Sequence, residues 1–260
     1  MPRSKWFVSA VVAMVLLAAA PLADGLLLDG LHDVGYTVCH QIPSHSFFIA
    51  GHQLPLCARC SGIYLGFLVG LLGLALLGRI RASKLPPDRV TALLVGFFLA
   101  MGVDGFNSLL GFFPDAPQIY PPSNLLRLAT GMAAGVSLAL LLVPMLNQSL
   151  WSKPEPVESV FDIQELGGYG VMAAMAIMAV NSTPPELLYP IAILSTLGVF
   201  VTLSMAATAF VAGLVPRRAK ADSASAASRV LLAGFGLAVI SMAAVGAVRS
   251  YLTPLLGLPG

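Results

Sequence analysis

All four histidines and all three cysteines of this 260-residue chain fall between residues 32 and 60. They are His32, His40, His45, His52, Cys39, Cys57 and Cys60. Thiols and imidazoles gathered this tightly have three chemistries open to them: metal ligation, thiol redox exchange, or a disulfide staple. Cys57-Ala-Arg-Cys60 puts two sulfurs three residues apart, so at the start of a helix both can face one centre. Unpaired N–H groups at the helix start, the helix dipole and Arg59 all favour thiolate there. Upstream, SFFIAGHQLP is expected to fold as a short hairpin around Ala50-Gly51 and to return His52 toward the cysteines. Cys39, Cys57, Cys60 and one histidine would make a Cys3His set, which suits tetrahedral zinc. His40 and His52 compete for the fourth place. His32 and His45 are weaker candidates, readable as ordinary interfacial histidines.

The redox alternative uses the same residues differently. A CxxC pair at the outer end of a membrane helix is where a thiol-disulfide oxidoreductase would exchange disulfides with periplasmic protein partners and pass electrons to a quinone. Outside the cytoplasm, thiols tend to oxidise unless they are ligated or catalytic. Three cysteines rather than four sit awkwardly with a two-pair relay, and redox leaves the clustered histidines unexplained. The CxxC is not followed by His, which disfavours attachment of a c-type haem. No phosphate-loop, dinucleotide-binding or Ser-His-Asp pattern occurs in the right context.

The elements that hold these residues are set by composition. Apolar residues make up 57% of the chain and charged residues 10%, against about 25% charged in a soluble domain. So few charges cannot cover a water-facing surface, which leaves a lipid bilayer as the surroundings. Apolar runs of membrane-spanning length predict about seven transmembrane helices, near 6–28, 57–78, 90–111, 125–146, 168–182, 187–213 and 229–251. The fold class is therefore all-α, a polytopic helical membrane protein with a short extracytoplasmic Cys/His loop. The first run also resembles a signal peptide, RSK before an apolar stretch that ends LAAAPLADG. Either reading leaves the following loop on the same side.

Charge gives the orientation. Of 14 Lys and Arg, eleven lie in the N-terminus, in 79–89, at Lys153 or in 217–229, while 29–56, 112–124 and 183–186 contain none. The positive-inside rule then predicts a plasma (inner) membrane protein with a cytoplasmic N-terminus and the Cys/His loop outside. Trp6 and Trp151 fall at the inner interface, and Tyr36, Tyr120, Tyr189 and Tyr251 at the outer one. The basic residues serve topology, so no nucleic-acid partner is expected.

The chain divides into a four-span core over 1–146, a cytoplasmic linker over 147–167 and an accessory three-span bundle over 168–260. Gly62, Gly66 and Gly70, with Gly131 and Gly135, have the spacing of close helix–helix packing. Ionisable residues at membrane depth are functional hypotheses by default, and Arg59, Asp104 and Arg127 all fall near the outer ends of their spans. Asp104 lies roughly 10 Å below its exit, with Asn107 and Ser108 on the same face. Asn124, Arg127 and Thr130 share a face of the next span. Asp104 and Arg127 can be read as a structural ion pair between helices, and Asn124 as a helix cap. The functional reading makes Asp104, Asn107, Asn124, Arg127 and Thr130 the lining of a polar cavity below the Cys/His site. In a catalytic version a metal-bound water attacks a lipid headgroup or a peptide, with Asp104 as base and Arg59 or Arg127 holding an anion. Three thiolates make a metal a poor Lewis acid, which favours a structural or sensing metal.

CHQ at 39–41, SFF at 46–48, GHQLPLCARCSGIYLG at 51–66, DGFNS at 104–108 and NLLRLATG at 124–131 resemble the prokaryotic predicted membrane proteins of domain of unknown function 2085. The resemblance covers about residues 35–140. Cys39, His40, Gln41, Cys57, Arg59, Cys60, Gly62, Asp104, Asn107, Ser108, Arg127 and Gly131 match its pattern, and Ser61 stands where many members carry Thr. The resemblance implies a shared site and names no reaction. The sequence thus predicts an outward-facing metal site, most simply zinc, on Cys39, Cys57, Cys60 and His40 or His52. The alternative is an oxidoreductase that uses a quinone.

Overall fold

The computed structural model describes residues 25–113, 117–214, 216 and 220–255. The first expected span, 6–28, lies outside the described residues apart from 25–28. Six helices among the described residues are long and apolar enough to cross a membrane: α2 (Ala58–Leu76), α3 (Asp88–Leu110), α4 (Asn124–Leu150), α5 (Ile163–Ser182), α6 (Leu188–Leu214) and α7 (Ala224–Leu255). The protein is a polytopic helical membrane protein. Each expected run from 57 onward becomes one helix. The shortest, 168–182, begins five residues early because Asp162 accepts from Glu165 N at 2.8 Å and Glu165 reaches back to Phe161 N at 2.8 Å. That reciprocal cap draws the polar Ile163-Gln164-Glu165 turn into the helix.

A further helix, α1 (Leu26–Tyr36), occupies much of what composition gave as loop. Eleven residues are too few to span a bilayer. The helix is amphipathic: Leu28 and Leu31 pack into an apolar cluster with Leu188 and Ile191 of α6, while Asp29 and Asp33 face out. It lies across one end of the bundle, and the Cys/His loop follows it.

The helix pair α2–α4 is the most extensively packed in the molecule. Its glycines account for that. A Cβ at Gly62 or Gly66 would collide with the backbone of Leu128 or Met132, and one at Gly131 or Gly135 with the carbonyl of Arg59 or Ile63. The two backbones therefore touch along the stripe expected from small-residue spacing, as helices in lipid do when no side chain intervenes. This contact fixes the depth of Arg59 against that of Arg127, one turn before Gly131.

At the opposite end, β3 (Ala82–Lys84) pairs in parallel with β4 (Glu155–Glu158). Asn147 donates to Ile80 O and Ala82 O, both at 2.9 Å, and Arg79 forms a two-pronged ion pair with Glu165 at 2.6 and 2.7 Å. The segment between α4 and α5 is thus tied to the α2–α3 loop by backbone and charge.

Candidate metal centre

The loop that carries the ligands begins where α1 ends. Cys39 N donates to Gly35 O at 2.9 Å. The chain then turns through Gln41, whose φ of 54° is in the left-handed region. A non-glycine residue holds that conformation only where its surroundings fix it, and here they do. Gln41 Nε2 donates to His32 O and Pro55 O, both at 2.8 Å, and Gln41 O accepts from Gln53 Nε2 at 2.8 Å. Gly35 leaves the room for it, since a Cβ there would strike Pro55 O and Gln41 Nε2. One carboxamide thus closes the loop onto α1 and onto the approach to α2.

The hairpin expected around Ala50-Gly51 is present. β1 (Phe48–Ile49) pairs antiparallel with β2 (His52–Gln53). Ala50 at φ 51° and Gly51 at φ 83° supply the two positive dihedrals that a tight two-residue hairpin needs. Its fully buried Ile49 anchors it in the core. The hairpin leaves His52 exposed, however, outside the set of converging donors.

That set is Cys39, His40 and Cys57, with one ligand atom of each within 4.8 Å of the others. Cys60, on the first turn of α2, stands outside this set. In a tetrahedral zinc site with bonds of about 2.3 Å to sulfur, neighbouring donors stand about 3.8 Å apart, so a small contraction would bring Cys39, His40 and Cys57 onto one ion, and the Cys60 thiol would have to move in to complete the shell. All three cysteines are free thiols. Cys39 is 4% exposed and Cys57 2%, and backbone donors point at both sulfurs. Cys39 Sγ accepts from Cys57 N at 3.2 Å and Gln41 N at 3.5 Å, and Cys57 Sγ accepts from Cys60 N at 3.5 Å. Cys57 is also the N-cap of α2. Hydrogen bonds from the Cys57 and then the Cys60 thiol hold the Cys39 thiol well below its ordinary value, against the effect of burial.

Of the four histidines only His40 joins the sulfurs. Its ring is exposed, and its pKa is lowered, chiefly by desolvation and further by Arg59, Arg249 and Arg127, with Cys39 opposing. Nδ1 of His40 accepts from Ile42 N at 3.2 Å. Ligation through Nε2 would place the proton on Nδ1 and release that contact, whereas ligation through Nδ1 would replace it. His45 packs edge-on against the His40 ring, at 5.4 Å between centroids, and at 5.5 Å from Phe112. His32 Nδ1 bonds Leu28 O within its own helix at 3.1 Å.

Beneath the thiols the polar residues are brought together in an arrangement that differs from the expected one. Asp104 pairs with Arg59, not with Arg127. The reason is geometric: Arg59 opens α2 beside the thiols and reaches across to α3, where it also meets Ser108 Oγ at 3.1 Å. Tyr120, expected only as an interfacial belt residue, donates its hydroxyl to Asp104 Oδ1 at 3.1 Å. Asn107 pins the same segment, donating to Tyr120 O at 2.9 Å and accepting from Ile119 N at 2.7 Å. Ser123, not Asn124, caps α4, accepting from Leu126 N at 3.2 Å. Asn124 instead bridges helix and loop. It donates to Ser44 O and Ser46 O at 3.2 and 3.1 Å and accepts from Arg127 at 2.8 Å. Thr130 spends its hydroxyl on Leu126 O at 2.9 Å within its own helix.

The sequence reading gave no role to Arg249. From the last helix it donates to the carbonyls of Tyr36 (2.6 Å) and Cys39, reaches His40 O at 3.3 Å, and stacks 3.8 Å above the Tyr36 ring. The signal was there, since an arginine near the outer end of an apolar span is unusual.

The family described as "Predicted membrane protein (DUF2085)" matches residues 39–141. An uncharacterized protein of Methanocaldococcus jannaschii is 33% identical over 123 residues, 47% of this chain and 72% of its own length. Another, from Methanothermobacter thermautotrophicus, is 34% identical over 108 residues, 40% of this chain and 83% of its own. The chain belongs to this family. No solved structure matches it. The match starts at Cys39 and ends inside α4, so it takes in the four donors, Arg59, Asp104 and Arg127, and leaves Arg249 outside.

Proposed function

We propose that the protein binds one metal ion, zinc by the chemistry of its donors, on Cys39, His40, Cys57 and Cys60, at the extracytoplasmic face of the plasma membrane. The carrying observation is the preorganisation of the sulfurs: three backbone N–H groups point at Cys39 and Cys57, and a ligand atom of His40 lies within 4.8 Å of both. N–H donors aimed at sulfur stabilise thiolate, the form that ligates. The four-donor set would fill a tetrahedral shell, and a closed shell is that of a structural or sensing metal rather than a hydrolytic one. Asp104 supports this reading. Its two oxygens are already engaged by Arg59 and Tyr120, a poor arrangement for a general base. The polar network below the site then holds α2, α3 and α4 in register with the loop.

The test is elemental analysis of the full chain, purified in detergent without chelator. About one zinc per chain is expected, with near-complete loss in Cys39→Ser and Cys57→Ser. Absence of metal in the wild type, together with a disulfide that forms between two of the three thiols and follows the redox state of the quinone pool, would replace this reading with the oxidoreductase. In that case two thiols give up two electrons and two protons to the quinone.

A further inference from the structure

Arg127 is 5% exposed, yet among the described residues no carboxylate stands at salt-bridge distance from it. Its hydrogen bond is to a neutral amide oxygen, that of Asn124, and its Nε is buried with no partner. A guanidinium in this condition is costly: burying a charge is tolerated when it is paired and hydrogen-bonded. Arg59, on the facing helix, has the same feature, a buried and unpartnered Nε, even though its terminal nitrogen meets Asp104. The two arginines belong to one crossing. The carbonyl of Arg59 abuts Gly131, one turn along the same face of α4 from Arg127.

The surrounding charge does not cancel. Arg59, Arg127 and Arg249 act on the Cys/His loop, and Asp104 is the one carboxylate paired among them. A dication with three thiolates would add one negative charge and still leave the cluster positive. Protonated thiols would leave it more so.

We infer that Arg127 and Arg59 form an anion site for a phosphate group, presented by a lipid headgroup or as free phosphate. The planar fork of arginine matches phosphate oxygens and carries a charge that does not titrate. Arg127 is the fourth residue of α4, and Phe112, Phe113, Ile119 and Leu125, which precede it between the end of α3 and the start of α4, are exposed and offer apolar surface for a lipid's acyl chains. The inference stands without the metal, since three arginines outnumber Asp104 whether or not Cys39 is ionised.

Phosphorus and zinc can be measured on the same sample of full chain after exhaustive exchange into a phosphorus-free detergent. We expect about one phosphorus per chain to be retained. Partition into the organic phase identifies a lipid, and into the aqueous phase free phosphate. Wild-type protein should also be stabilised against thermal unfolding, roughly 5 °C at saturation, by phosphatidylglycerol but not by a phosphate-free glycolipid, or by inorganic phosphate but not by chloride of equal ionic strength. Arg127→Gln should abolish both effects. Arg127→Lys, which keeps the charge and loses the fork, should weaken both and remains informative if the glutamine variant does not fold. Wild-type protein that retains no phosphorus and responds to neither probe overturns the inference. So does retention that is unchanged in both variants. Loss of zinc with phosphorus retained would overturn only the metal reading.

Discussion

Cys39 is the residue around which the site is organised. It takes two backbone N–H groups, which favour the thiolate form of its sulfur. His40 follows it directly and is the imidazole that joins it. His52 stands exposed beside the hairpin turn and outside the set of converging donors, although its cross-strand partner Ile49 is buried, which favours His40. Accordingly His52→Ala should leave metal content and chelator resistance unchanged, and His40→Ala should lower affinity by at least the 10–100-fold that even an outer-shell partner commands. Competition with a chromogenic chelator measures both. A larger effect from His52→Ala than from His40→Ala would mean that the loop closes differently around the ion. The cysteines and the turn were legible in the sequence because sulfur spacing and positive-φ residues are local signals. The choice of histidine was not, because it depends on how the 39–56 loop folds back onto the start of α2.

At the scale of elements the site is a junction of α1, α2, α4 and α7. Glycine spacing made the α2–α4 contact readable in advance, since small residues on facing helices have one use in lipid. The role of α7 was hidden because its partner is not a side chain: Arg249 seeks the backbone carbonyls of Tyr36, Cys39 and His40, which no sequence pattern marks. The hydroxyl of Tyr36 meets Thr253 on the same helix at 3.0 Å, so two consecutive turns of α7 grip the loop. Arg249 is therefore a positioning residue for the ligands. Arg249→Met should weaken metal affinity about 10–100-fold, the usual effect of removing a group that orients a ligand. Arg249→Lys should restore part of it. The cobalt(II)-substituted protein should show an altered thiolate-to-metal absorption in Arg249→Met at unchanged helix content. Wild-type affinity and spectrum in that variant would reduce α7 to a packing neighbour.

For the whole molecule, alternation of the six spans puts the starts of α2, α4 and α6 at the Cys/His end with the ends of α3, α5 and α7. Arg79, Arg81, Lys84, Arg89, Lys153, Lys220 and Arg229 then gather at the opposite end, where Arg79–Glu165, Arg81–Glu155 and the β3–β4 pairing close it off. Composition made this arrangement legible because charge and apolar length are properties of whole segments. The exchange of partners from Asp104–Arg127 to Asp104–Arg59 was not, because helices sharing a depth can still rotate to present different faces. The positive-inside rule assigns the basic end to the cytoplasm, and on that proposed orientation the thiols and arginines would face the outer leaflet. Two conservative substitutions test this. Ser44→Cys adds a thiol on the exposed loop beside the site, and Ser152→Cys adds one at the opposite end, both on exposed serines. A membrane-impermeant maleimide applied to intact spheroplasts should label Ser44→Cys and should reach Ser152→Cys only after permeabilisation, with the wild type giving the background of Cys39, Cys57 and Cys60. The reverse pattern would move the metal to the cytoplasm, where reducing conditions keep thiols free without a ligand, and would also move the arginine pair from the outer to the inner leaflet.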